Sequence, residues 1–275
     1  MTSRRLTPKE WLQALRSEDA CLEIQRWGYN QYRSAWDTER RTLDEDLMWL
    51  IVHGGFEGTV AKERVRFESG SVFWLSGGVE HDLRMVRSLL PCAVYHLRFI
   101  LSQSGQRLRY KQDLVIIKDA LVARPYFDEI VREMSFPGEF HRDRVRAILA
   151  LMHSTVFTLQ SRPVQRGRTF SGAQRQKVIR LIEENIEKRI SPSQLAAGIG
   201  LTRDYFTLLF HRTFGMAPRE WILRERVRRA AQRLTRTSES VTDVAAHFGY
   251  QDIFLFSRQF KKVFGCSPRA YRRGE

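Results

Sequence analysis

The sequence predicts an α+β chain. A strand-rich N-terminal half folds as a β-barrel or sandwich, a helical segment follows, and an all-α C-terminal domain carries two helix-turn-helix units joined by a linker helix. Three observations predict this. The runs Leu47–Val52, Ser71–Leu75 and Ala93–Leu101 are rich in β-branched and aromatic residues and are punctuated by Gly54-Gly55, Gly70, Gly77-Gly78 and Pro91, the texture of short strands and tight turns. Apolar residues then fall at helical spacing at Val145, Ile148, Leu149, Met152, Val156 and Leu159. Finally, the C-terminal part repeats itself with a period of about 50 residues.

At roughly 100–200 residues per domain, a chain of 275 residues makes one large domain or two modest ones. The expected boundaries are a first domain over 1–160, a linker over 161–170 containing Pro163 and Gly167, and a second domain over 171–275. The apolar share of 43% is enough for packed cores and argues against widespread disorder. The net charge is +15, which favours an anionic partner, nucleic acid ahead of a membrane surface. That excess is uneven. Residues 171–275 hold 20 basic against 10 acidic side chains, a balance of +10, and the first 170 hold 26 against 21, a balance of +5. Cys21, Cys92 and Cys266 are too far apart for a readable disulfide framework or a Cys-based zinc site, which fits a reducing compartment. Arg4-Arg5 are not followed by the apolar stretch of a signal peptide. No apolar run approaches the ~18 residues of a membrane span. The expectation is a soluble, cytoplasmic protein.

In the N-terminal half, a short helix is expected over Pro8–Arg16, and one strand over Val60–Phe67, where Val65 and Phe67 alternate with charges. His53, His81 and His96 raise the question of a metal, since neutral imidazoles suit transition metals. No His-x-His pair occurs, and Glu80 and His81, adjacent on a strand, point to opposite faces. No metal, cofactor or catalytic residue is therefore assigned. Trp27, Trp36, Trp49 and Trp74, with His53, His81 and Arg98, are able to stack on a ring and fix a polar group inside the barrel. Core packing explains the tryptophans equally well, and a one-residue slip of register reverses every inward assignment. A helical middle is expected over about Gln112–Leu159, with one helix near Asp128–Met134 ended by Pro137-Gly138 and a longer one over Asp143–Leu159. The longer helix either packs on its own barrel or pairs with a second copy.

The repeat is the strongest signal. Leu195-Ala-Ala-Gly-Ile-Gly200 returns as Val244-Ala-Ala-His-Phe-Gly249, and Phe206, Phe210, Phe214, Gly215 and Pro218 return as Phe256, Phe260, Phe264, Gly265 and Pro268. Each copy reads as helix, tight turn, helix. Ser191-Pro-Ser-Gln194 has the capping-box pattern with Pro192 at the first helical position. Gly200 suits the left-handed residue that ends a helix, and Thr202 and Asp252 suit N-caps of the second helices. Phe206, Leu209, Phe210 and Thr213 form one buried stripe, and Phe256, Phe260, Val263 and Phe264 the other. That leaves Arg203, Asp204, Thr207, Leu208 and His211 outward in the first unit, and Ile253, Phe254, Ser257, Arg258, Lys261 and Lys262 in the second. A basic exposed second helix in such a hairpin is the DNA-reading pattern. Between the units, Pro218–Leu234 carries Trp221, Leu223, Val227, Ala230, Ala231 and Leu234 on an inner side, with Arg224, Arg228, Arg229 and Arg233 elsewhere.

Residues 171–273 resemble the DNA-binding domain of the AraC/XylS family of bacterial transcription regulators. Arg226-Val227, Ala230 and Leu234 match its linker helix, and Gly249–Gly265 with Ser267-Pro268 match its second-unit signature. The N-terminal half is similar, diffusely, to the cupin-like sensing domain common in the family. The resemblance implies a cupin-like sensing and dimerisation domain, double-stranded DNA and a small-molecule effector as partners, a homodimer, and RNA polymerase as a further partner if the chain activates. The chain departs from the pattern at Leu208, Ile253 and Phe254, where polar or basic residues are usual, so no relative's operator sequence transfers to it. Apolar groups there suit contact with thymine methyls, while Arg258 matches a base- or phosphate-contacting arginine. Two other readings stand beside this one: a DNA-binding regulator whose barrel only dimerises, and a metal-dependent cupin enzyme carrying a DNA-binding tail. A Cys-based repair methyltransferase with a similar tail needs clustered cysteines, which the sequence lacks.

Overall fold

The computed structural model describes residues 3–161 and 169–273. Residues 162–168, most of the expected linker, lie outside the described residues, as does the side chain of Leu159. The chain divides into two compact units, Met1–Gln165 and Arg166–Glu275.

The first unit runs β1 (Ser3–Leu6), α1 (Pro8–Leu15), β2 (Ala20–Tyr32), β3 (Arg41–Thr42), β4 (Asp46–His53), β5 (Gly55–Val60), β6 (Glu63–Glu68), β7 (Val72–Leu75), β8 (Glu80–Met85), β9 (Cys92–Gln103), β10 (Gln106–Tyr110), β11 (Leu114–Ile117), α2 (Arg124–Ser135) and α3 (His141–Ser161). Seven strands form one sheet in the order β1-β10-β9-β4-β7-β11, with β2 also on β9, and four form a second sheet in the order β3-β8-β5-β6. The expected barrel is thus a curled half-barrel of two facing sheets. Leu47, Trp49, Ile51 and Val94 of the larger sheet meet Phe56, Phe67, Leu83 and Met85 of the smaller one in a shared core.

Two local expectations change, and one strand goes unannounced. Val60–Phe67 is not one strand: Ala61 and Lys62 adopt positive φ of 48° and 70° and turn the chain into the β5–β6 hairpin. The segment after Gln112 is not wholly helical, because Leu114–Ile117 pairs with Val72–Leu75 at the sheet edge. The strand β2 has no aliphatic run to announce it, yet it pairs with β9 along its whole length. Helix α1 begins as expected, with a Thr7–Glu10 capping box and Pro8 at its start. Glu80 is exposed and His81 buried, as adjacent strand residues must be.

The outer face of the large sheet is covered by helices. Val145, Leu149, Met152 and Val156 of α3 are buried, so the apolar stripe read from the sequence packs on its own sheet. Trp74 belongs here and not to the interior between the sheets: it meets Trp11 edge-on at 4.7 Å between ring centroids and Tyr110 at 4.2 Å. His153 stacks on Trp11 at 5.1 Å and on Phe157 at 4.5 Å, and its Nε2 is hydrogen-bonded to the Tyr110 hydroxyl.

Burial pushes the pKa of His153 down to about 4, from 6.5. The folded state therefore resists protonation. Its contribution to stability is complete above pH 6.5 and is lost as the pH falls from 6.5 toward 4. At about 1.4 kcal/mol per unit, the loss is of the order of 3 kcal/mol. A His153→Gln variant, which keeps a polar partner for Tyr110, is expected to lose that pH dependence. Urea unfolding at pH 7 and pH 4.5 checks it: an unchanged difference between the two pH values in the variant contradicts the assignment.

Candidate nucleic-acid interface

The second unit is all helix: α4 (Gly172–Asn185), α5 (Pro192–Gly198), α6 (Arg203–Phe214), α7 (Pro218–Arg236), α8 (Val241–His247), α9 (Ile253–Phe264) and α10 (Pro268–Arg273). The repeat is visible in the hydrogen bonds. Helices α5 and α8 both open on capping boxes, Ser191 with Gln194 and Ser240 with Asp243. Both end in the same turn: the amide of Leu201 donates to the Ala196 carbonyl and that of Tyr250 to the Ala245 carbonyl, each at 3.0 Å. Gly200 and Gly249 sit at φ of 71° and 75°, a region that costs a Cβ-bearing residue about 1 kcal/mol or more. The Asp252 carboxylate accepts from the Phe254 amide at 2.7 Å as the N-cap of α9. Thr202 holds the matching position before α6 but makes no side-chain cap bond.

Helix α7 is shared by two cores. Its first turns give Trp221 to the aromatic cluster of Phe170, Phe206, Phe210 and Phe214, and Ile222 beside it is buried. Its later turns give Val227, Ala230, Ala231 and Leu234 to the cluster of Val244, Phe248, Phe256 and Phe260. Between them Glu225 is buried beside Arg228 and Arg229, both at 3.7 Å, and Arg229 also meets Glu183 at 3.6 Å. Among the arginines expected off the inner side, Arg228 departs from that placement. Arg228 is buried, Arg224 pairs with Glu220 at 2.9 Å and Arg233 with Glu239 at 2.6 Å. Arg226, matched earlier only by resemblance, donates to the Ile186 and Lys188 carbonyls and ties the end of α4 to α7.

The candidate DNA-facing residues lie on α6 and α9. Arg203, Asp204, Leu208 and His211 are exposed on α6. Thr207 is half-buried, and its hydroxyl donates to the Arg203 carbonyl at 2.8 Å. On α9, Phe254, Arg258, Lys261 and Lys262 are exposed and Ser257 is half-buried. Lys262 leans back to Glu220 at 3.6 Å. Ile253 was read as outward-facing. It is half-buried, because it packs against the second core at the start of α9. Val263 and Phe264 are half-buried rather than fully inside. Arg212, exposed one turn beyond Leu208, extends the α6 face and was missed, although its i+4 spacing from Leu208 announces it.

The first unit holds a separate feature, a cleft of about 520 Å³ at one end of the inter-sheet core, lined among others by Arg26, Trp36, Arg41, Trp49, His96 and Arg98. Register builds it. On β9, Arg98 pairs with Arg26 of β2 on one side and Leu47 of β4 on the other, and two residues along His96 pairs with Gly28 and Trp49. A Cβ on Gly28 would stand 2.9 Å from the His96 ring, so glycine is what admits the imidazole. Burial first, then Arg26 and Arg98, push the His96 pKa down to about 4. Burial, then Arg98 and Arg26, also hold the Arg41 guanidinium below its ordinary value. Arg98 pairs with Glu45 at 2.7 Å, and its buried Nε has no partner among the described residues. Of the residues the sequence suggested for this interior, Trp36, Trp49 and Arg98 line the cleft, whereas Trp27, Trp74, His53 and His81 do not. His81 bonds the Val79 carbonyl at 3.0 Å. Among the described residues no three His, Cys, Asp or Glu side chains are placed to share a metal ion, and no helix is long and apolar enough to cross a membrane.

Residues 195–274 match a helix-turn-helix domain family. The lactose operon transcription activator of Staphylococcus xylosus is 23% identical over 254 residues, which cover 84% of each chain. The second unit is a helix-turn-helix domain of the AraC type. The putative helix-turn-helix transcriptional regulator YkgA of Escherichia coli K12 is 38% identical over 97 residues, or 35% of this chain and 41% of YkgA. The crystal structure of an AraC-type transcriptional regulator from Chromobacterium violaceum is 29% identical, covering 37% of this chain and 90% of that one, with a TM-score of 0.35. The protein is accordingly a DNA-binding transcription regulator.

Proposed function

We propose that this AraC-family protein is a sequence-specific transcription activator in which residues 171–275 bind double-stranded DNA and residues 1–160 sense a small molecule. The observation that carries the DNA reading is the pair of capped helix-turn-helix units built onto one helix, α7, with α6 and α9 both exposing polar and basic side chains. The bound residues are Arg203, Asp204, Thr207, Leu208 and His211 on α6, and Phe254, Ser257, Arg258, Lys261 and Lys262 on α9. Ile253 contributes packing more than contact, given its burial. Activation is supported by the Staphylococcus xylosus relative, itself a transcription activator that aligns over most of both chains, and RNA polymerase as a partner follows only if the chain activates. A homodimer is part of this reading. Such a regulator works in the cytoplasm and needs no catalytic residue.

The cleft supports the sensing role. Its cationic rung, Arg26 with Arg98, beside Trp36 and Trp49, suits a flat organic anion, and the cupin-like character of the half-barrel is part of this reading. A panel of carboxylates and their neutral amides is expected to raise the melting temperature only through the anions, and Arg26→Gln with Arg41→Gln to abolish the rise. Equal stabilisation by amides, or none by any compound, contradicts this.

For DNA, affinity on a selected site is expected to fall steeply with salt through counterion release. Arg258→Ala is expected to cost roughly 1–3 kcal/mol on that site and much less on random DNA, as guanine recognition requires. Quantitative gel-shift assays read both. An equal loss on random DNA reassigns Arg258 to phosphate, and salt-independent binding overturns the DNA reading.

A further inference from the structure

The two recognition helices carry the same kind of surface in opposite order. The pairs Phe206/Phe256, Phe210/Phe260 and Phe214/Phe264 fix the register of the repeat. In that register Asp204 corresponds to Phe254 and Leu208 to Arg258. Both positions are exposed in both helices, one turn apart on one face. Each helix therefore offers one charged and one large apolar side chain: Asp204 then Leu208 on α6, Phe254 then Arg258 on α9.

The apolar members are conspicuous by their exposure. Leu208 is 45% and Phe254 73% accessible. Among the described residues of the second unit, these are the two large apolar side chains that stand exposed, and each lies on a recognition helix. A single exposed leucine needs no explanation. Two that fall on equivalent faces of a repeat, at positions the cores leave free, call for a shared partner. Neither supports the fold: Phe206 and Phe210 fill one core, and Phe256 and Phe260 the other.

We infer that Leu208 and Phe254 read thymine methyl groups, so that each half of the operator carries a thymine beneath the apolar residue. This rests on the DNA-binding reading above. In the major groove the C5-methyl of thymine is the one apolar group that an unmodified base pair presents, next to the hydrogen-bonding edges that charged side chains read. Packing a methyl against an apolar side chain is worth about 0.8 kcal/mol, or about fourfold in affinity. The opposite order has a consequence for the site. On α9 the methyl contact precedes the Arg258 contact along the helix, and on α6 it follows the Asp204 contact by one turn.

The test uses the full-length protein and a site selected from random duplex DNA. Each thymine of that site is replaced in turn by uracil, which removes only the methyl group. The expected result is a loss of about fourfold at one thymine in each half. The loss in one half disappears in Leu208→Ser and the loss in the other disappears in Phe254→Ser. Both side chains are exposed, so melting curves of the variants are expected to match the parent. Three results overturn the inference: no uracil substitution weakens binding, the losses persist in the variants, or the variants bind DNA unchanged but fail to activate transcription, which would turn both side chains toward a protein partner. Failure to select any site overturns the DNA reading itself, and so is distinguishable from failure of the inference.

Discussion

Helix α7 has to belong to two hydrophobic cores at once, and the C-terminal unit depends on that constraint. Its 19 residues make a rod of roughly 28 Å at ~1.5 Å each. Trp221 and Ile222 lock one end and Val227 to Leu234 the other. Between them the buried Glu225 meets Arg228 and Arg229. A charge group of this kind is expensive to break, since removing one partner strands the others out of water. It also leaves little freedom for one end of the helix to roll against the other. The orientation of α6 relative to α9 follows from this rod and not from the loops.

How much of this was readable from the sequence differs between the halves. The repeat was legible because both units use the same devices at the same spacing: Ser191 and Ser240 caps, Gly200 and Gly249 turns, and phenylalanines one helical turn apart. Local chemistry fixes such features. The pairing of Glu225 with Arg228 and Arg229 lies at i,i+3 and i,i+4 and is open to sequence reading, but the burial of this group is not, because Glu183 reaches Arg229 only through helix packing. The half-burial of Ile253 is not legible for a similar reason: its position at the edge of the apolar stripe of α9 is marginal, and the packed core decides which side it falls on.

In the first unit the strands that faced the core announced themselves and the edge strand did not. β2 is mostly polar and half-exposed, with Gly28 at its middle. Yet β2 carries Arg26 and Asn30 into the cleft, and Gly28 makes the room that His96 occupies. Which histidine lines a cavity depends on register across three strands, and period-two patterning alone cannot supply that. The same limit placed Trp74 in the wrong layer, since adjacent residues of β7 face opposite sides of the sheet.

On the proposed DNA-binding reading, α7, roughly 28 Å long against ~34 Å per turn of DNA, holds α6 and α9 at the spacing of successive major grooves. Hydroxyl-radical footprinting of the full-length protein on its selected site tests this most directly. The account predicts two protected patches on one face of the duplex, about one helical turn, or roughly 10 base pairs, apart for each bound copy. A single patch per copy, or two patches on opposite faces of the DNA, would contradict it.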